Sequence, residues 1–122
     1  MSSNQVPPKD SHSISLEVAV EMTTLYRENR PAILKPEYST DILALNESFN
    51  KEDVLSLLEE NGCAGLRIYY GMSPDLNIHA ILVGVNEAGE DILPDEKMLD
   101  AIILEDSRRC PVECPPDSVL NS

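Results

Sequence analysis

The chain has 122 residues, 42% of them apolar and 25% charged, a composition that fits one globular domain and excludes collagen-like, coiled-coil and wholly disordered classes. Twenty-two acids against nine bases give a formal charge of −13. A field of that sign repels phosphate backbones and anionic bilayers, so neither nucleic acid nor a membrane surface is an expected partner, whereas a protein with a basic face is.

The excess is uneven: residues 1–50 carry a net −3 and residues 51–122 a net −10. No apolar run approaches the roughly 20 residues that span a bilayer. Residues 1–13 are polar and lack a basic stretch followed by an apolar one, so no signal peptide is expected and a cytoplasmic location is. Asn46-Glu47-Ser48 matches a glycosylation acceptor, which carries no meaning without secretion. Cys63, Cys110 and Cys114 are odd in number, and with no export signal they are expected to be reduced.

In chain order, residues 1–12 read as a flexible polar arm. Ser15 can cap a helix over Leu16–Asn29, with Ile14 packing back on its first turns. Val18, Met22, Leu25 and Tyr26 share one face of that helix and form its expected core side. Glu17 near its start and Arg27 near its end suit the helix dipole, and Pro31 stops it. Residues 31–41 read as a loop and 41–47 as a short strand.

A second helix is expected over Lys51–Asn61, capped by Asn50, stapled by Phe49 against Val54 and ended by Gly62. Its expected buried face is Val54, Leu55, Leu57 and Leu58. Leu66, Ile68 and Tyr70 then alternate with Arg67 and Tyr69, the period of a half-buried strand. Gly71–Asp75 turns the chain, and Ile78–Val85, apolar on both faces apart from His79, reads as a central strand paired with the first. Over 94–106 a short helix through Met98 and Leu99 followed by a strand is preferred to one longer helix. Residues 107–122 read as a tail containing two cysteines and several prolines. The sum is an α+β fold: two helices packed on a small, mainly antiparallel sheet of about three strands, with a single domain over 13–106.

The segment Gly62-Cys63-Ala64-Gly65-Leu66-Arg67-Ile68-Tyr69-Tyr70-Gly71, the strand Ala80–Val85 and the tail Cys110-Pro111-Val112-Glu113-Cys114-Pro115-Pro116 resemble a group of small uncharacterised bacterial proteins. Those carry a G-C-x-G-[LI]-R-[IV]-Y-Y-G segment and a C-P-x-x-C-P tail. The group has no known activity, so the resemblance implies one domain and no function.

Four arrangements bear on chemistry. Cys63, Cys110 and Cys114 with His79 can supply three sulfurs and one imidazole, a tetrahedral zinc set; against it, only one close pair is present, and free thiols or a Cys110–Cys114 disulfide are the alternatives. Arg67, Tyr69 and His79 can share one face of the hairpin and bind a carboxylate or phosphate, although an intramolecular ion pair to Arg67 is the simpler reading. Glu87, Glu90, Asp91, Asp95, Glu96 and Asp100, with Glu105 and Asp106, form an acidic segment relieved only by Lys97. It lacks the spacing of a calcium loop and reads as a solvated face or a docking face for a basic partner. A Cys63–His79 pair has no nucleophile signature, His12 lies in the arm, and no phosphate-binding glycine loop is present.

The expected function is therefore a non-enzymatic, acidic protein-interaction module, an adaptor or accessory subunit, with no cofactor and no catalytic residue. The alternatives are a metal-binding or redox-responsive protein using its cysteines, and a small-molecule binder or enzyme built on the 65–85 hairpin. Oligomeric state is open at this level.

Overall fold

The computed structural model describes residues 6–97 and 99–121. Helix α1 runs Leu16–Asn29, and the Ser15 hydroxyl accepts the Val18 N–H at 3.1 Å. A single 3₁₀ turn at Thr40–Ile42 leads to strand β1, Asn46–Ser48. Helix α2 spans Lys51–Leu58, with the Asn50 side-chain oxygen accepting from the Glu52 and Asp53 amides at 2.8 and 3.2 Å. Strands β2 (Gly65–Met72) and β3 (Ile78–Val85) form a hairpin, followed by β4 (Asp91–Ile92) and β5 (Arg108–Cys110).

The α+β class holds, with two helices and two antiparallel sheets: a three-stranded sheet in the order β2-β3-β4 and a ribbon of β1 with β5. Helix α1 and the hairpin have the bounds expected from capping and alternation, apart from one extra residue on β2. Three expectations are corrected. Helix α2 stops at Leu58, three residues early, because the turn that reaches Gly62 at φ +83° begins at Glu59. Residues 94–106 form neither a helix nor a strand among the described residues; Leu104 alone makes a bridge to Leu82, and the expected turn at Met98 lies outside the described residues. The strand of the 41–47 region starts only at Asn46, and its partner β5 opens the Cys/Pro-containing segment 107–122. Of the arm over 1–12, residues 1–5 lie outside the described residues.

The core is small. Leu57 of α2 is fully buried, and Leu82, Val83, Val85, Ile92, Ile42, Ala101 and Cys110 complete it. Gly84 lets α2 approach β3: a Cβ there would stand 3.1 Å from the Cys63 sulfur and 3.2 Å from a Glu60 carboxylate oxygen. Leu55 and Leu58, expected inside, are each 40% exposed. Helix α1 departs furthest from expectation. It buries no residue, and Val18, Met22 and Leu25 face outward. It is held at its C-terminal end by polar ties: Tyr26 OH donates to Ala44 O at 2.6 Å, Arg27 to Leu120 O at 2.7 Å, and Arg30 stands 3.8 Å from Asp41.

Side chains join the two sheets. Glu47 and Arg109 are opposite each other in the β1–β5 ribbon, and both reach the outer edge of β3. The Glu47 carboxylate accepts the Ala80 N–H at 3.1 and 3.2 Å and the Ser107 hydroxyl at 2.6 Å. Arg109 Nε donates to Ile78 O at 3.0 Å. Truncating Glu47 leaves a strand amide without its acceptor, a loss of about 1–3 kcal/mol. Glu47→Ala is therefore expected to lower the urea midpoint by that energy with an unchanged slope, whereas Lys35→Ala, on an exposed loop, should leave it within error.

Candidate functional site

The hairpin register decides which side chains share a face. Arg67 opposes Val83, Tyr69 opposes Ile81 and Gly71 opposes His79, so Arg67, Tyr69 and His79 all lie on the odd-numbered face of the sheet. Asp91 joins that face through its pairing with Val85. It draws two of the three together: Arg67 Nη1 donates to Asp91 Oδ1 at 2.6 Å and to Gly89 O at 2.9 Å, and Tyr69 OH donates to Asp91 Oδ2. Gly89, at φ +82°, shapes the turn that presents its carbonyl to the guanidinium.

The cluster is electrostatically closed. The Tyr69 hydroxyl first, then the Arg67 guanidinium, hold the Asp91 carboxyl below the usual carboxylate range against a partial desolvation that acts the other way. The same hydrogen bond from Tyr69 to Asp91 pushes the phenol up. Asp91 itself raises the affinity of Arg67 for its proton. Two of the donors that a bound carboxylate or phosphate would use, Arg67 Nη1 and the Tyr69 hydroxyl, are thus engaged by the chain's own acid.

His79 stands apart. Its Nδ1 lies 3.4 Å from Glu105 Oε2, close enough for an ion pair when the imidazole is protonated but not aligned as a hydrogen bond. With Gly71, Met72, Ser73 and Ile81 they line an open hollow of about 300 Å³. Of the acidic candidates, Glu87, Glu90, Asp95, Glu96 and Asp100 face solvent, and Asp91 is the member turned inward. Glu90 accepts from the Asn86 side chain at 3.0 Å, and Asp95 accepts the Lys97 amide at 2.8 Å.

The cysteines separate. Cys110 and Cys114 are disulfide-bonded, their Cα atoms 4.5 Å apart, which corrects the expectation of three reduced thiols. The turn after β5 brings the two together, and neither odd count nor spacing encodes that turn. Cys63 is free, and its thiol donates to Gly65 O at 3.2 Å. Cys63, Cys110, Cys114 and His79 therefore do not converge, and among the described residues no group of three metal-ligating side chains does. Glu47 and Arg109 were not legible as functional groups in the sequence. Only their mid-strand placement opposite one another in a ribbon links them, and that pairing spans some 60 residues of chain.

Two outcomes follow. An NMR titration should place the Asp91 carboxyl below its ordinary value, and Tyr69→Phe should move it upward. Because the folded pKa is depressed, the stabilisation is complete above the ordinary carboxylate pKa of about 4 and fades as pH falls through the lower folded value. Acid unfolding of Asp91→Asn should lack that component. Thiol titration of the unreduced, denatured chain should count one thiol, Cys63, and three after reduction. No protein-family model matches the chain, and no curated protein or solved structure matches it either.

Proposed function

We propose that the protein is a non-enzymatic interaction module, an adaptor or accessory subunit, that docks on a protein partner through α1. One observation carries the reading. Val18, Met22 and Leu25 recur at helical spacing along one side of a well-capped helix, with Ile14 just before its cap, and the four are 40%, 60%, 60% and 60% exposed. Monomeric proteins seldom leave such a stripe open unless something covers it. An amphipathic helix offered in this way fits an apolar groove, read through anchors at i, i+4 and i+7.

The chemistry of the partner follows from charge. Glu17, Glu21 and Glu28 flank the stripe, and the exposed acids of the 87–100 segment add to a net −13. A groove rimmed by lysine and arginine is the complement, and its association with this chain weakens as salt rises. No helix among the described residues is long and apolar enough to cross a membrane. A cytoplasmic setting is part of the reading, and there the Cys110–Cys114 bond is open to reduction by the glutathione pool.

That disulfide also favours the redox-responsive alternative, because Cys110 pairs with Asn46 in the β1–β5 ribbon and reduction would loosen the ribbon's end.

The test compares wild type with Met22→Asp and Leu25→Asp in quantitative affinity capture from native lysate at low and high salt. Both residues are exposed, so folding should be unaffected, and melting temperatures confirm it. The expected result is one stoichiometric, salt-sensitive partner lost in both variants. A partner retained at wild-type level by both, or no stoichiometric partner at either salt, would refute the reading.

A further inference from the structure

We propose that β2 is a self-pairing edge: two copies of the chain join antiparallel along it, about a two-fold axis at Tyr69, into one continuous six-stranded sheet. This uses a different surface from α1 and stands independently of the function proposed above.

The first observation is the parity of the ladder. Ser73 N–H donates to Asn77 O at 3.0 Å, so bonded pairs continue through Gly71–His79, Tyr69–Ile81, Arg67–Val83 and Gly65–Val85. On β3 the remaining residues bond outward, Ala80 to Glu47 and Leu82 to Leu104. On β2 the corresponding residues, Leu66, Ile68, Tyr70 and Met72, turn their N–H and C=O groups to the free edge. Among the described residues no hydrogen bond reaches them. The outer edge of β3 is taken by β4, Leu104, Glu47 and Arg109. Among the described residues β2 is therefore the long open edge of this sheet, β4 at the other end having two residues, and pairing β2 two-fold uses that edge up in a dimer.

The second observation is that the edge is unguarded. Natural edge strands resist pairing through lysine, proline, bulges or short length. Strand β2 is eight residues long, pairs with β3 without a bulge and contains no proline or lysine. Its one charge, Arg67, is folded onto Asp91 on the odd face, away from the edge. A chain of net −13 thus has a long strand with no acid at all.

The third is self-complementarity. An axis at Tyr69 sets Leu66 opposite the second copy's Met72, and Ile68 opposite its Tyr70, each twice by symmetry. These four residues are 42%, 60%, 48% and 78% exposed in the single chain, and pairing merges them into one apolar face. On the other face Arg67 comes opposite Gly71, over which the chain's own Ile81 already lies: a Cβ at Gly71 would stand 2.7 Å from Ile81 Cδ1. Val6 of the arm packs against the start of β2, where a Cβ at Gly65 would stand 3.1 Å from Val6 Cγ1, and beyond that contact Val6–Lys9 and Leu66–Ile68 border an open groove of about 920 Å³. The end of the second copy's strand at Met72 would enter that groove.

The experiment is sedimentation velocity on the full chain from micromolar to millimolar concentration, at low and high salt. Two copies of charge −13 repel, so dimerisation should strengthen as salt rises, opposite to the behaviour of a basic partner at α1. The expected species has twice the 13.5 kDa mass of the chain. Ile68→Glu should weaken it about tenfold, and adding Tyr70→Arg should restore it, because each new acid then opposes a new base in the second copy. Should Ile68→Glu fail to fold, Tyr70→Arg alone, at the most exposed position of the strand, should weaken the dimer similarly. Met22→Asp should leave it unchanged. A 13.5 kDa species under every condition, a dimer indifferent to Ile68→Glu and Tyr70→Arg, or no rescue by the double variant would each overturn the proposal.

Discussion

The outer edge of β3 is the constraint on which the fold rests. This strand holds three of the eight core residues, Leu82, Val83 and Val85, and its last four residues are all buried. Buried backbone groups must be paired, yet no single strand pairs the side of β3 away from β2. The chain satisfies it in pieces. Arg109 covers Ile78 O, Glu47 covers the Ala80 amide, Leu104 exchanges both bonds with Leu82, and β4 takes the end. Four separate segments, all but β4 distant from β3 in the sequence, converge on this edge.

That arrangement explains what the sequence reveals and what it hides. Local signals were legible: Ser15 capping α1, Asn50 capping α2, and the alternation of Leu66 to Tyr70 against the apolar run of β3. Each is written within a few residues. The pieces that complete β3 are not. Strands β1 and β5 have three residues each, too short for periodicity, and they pair Asn46 with Cys110 across most of the chain. The 94–106 segment looked regular because Ile102, Ile103 and Leu104 are strand-formers, but only Leu104 finds a partner. The backbone of Ile102 donates instead to the Glu60 carboxylate at 2.6 Å. In both cases a carboxylate does the work of a neighbouring strand, and a propensity argument cannot see that.

The acids illustrate the same limit. With 22 carboxylates, nothing in the sequence distinguishes those that bond the fold together. Three are distinguished by position alone. Asp91 closes over Arg67 and Tyr69, Glu47 joins the sheets, and Glu60 bonds the loop after β4. Reading the acidic segment as one docking face therefore removed from view the member, Asp91, whose role is internal. Arg67, expected either to bind a ligand or to form an ion pair, does the second, and His79 on the same face stands beside Glu105 instead.

The unequal treatment of the two hairpin strands is the last step. Parity dictates that β2 and β3 each present half of their backbone groups outward, so the hairpin creates two edges with identical needs. The chain places four segments along one of them, while among the described residues no backbone hydrogen bond reaches the other. Simple shortage of material does not explain the choice, since α1 is a complete, capped helix that contributes no residue to the core. A helix left uncommitted beside a strand left unpaired is poor economy for a solitary domain, whose stability rests on about 5–15 kcal/mol in all. It is consistent for a domain whose remaining apolar surface is completed from outside, by a groove over α1 and by a strand along β2.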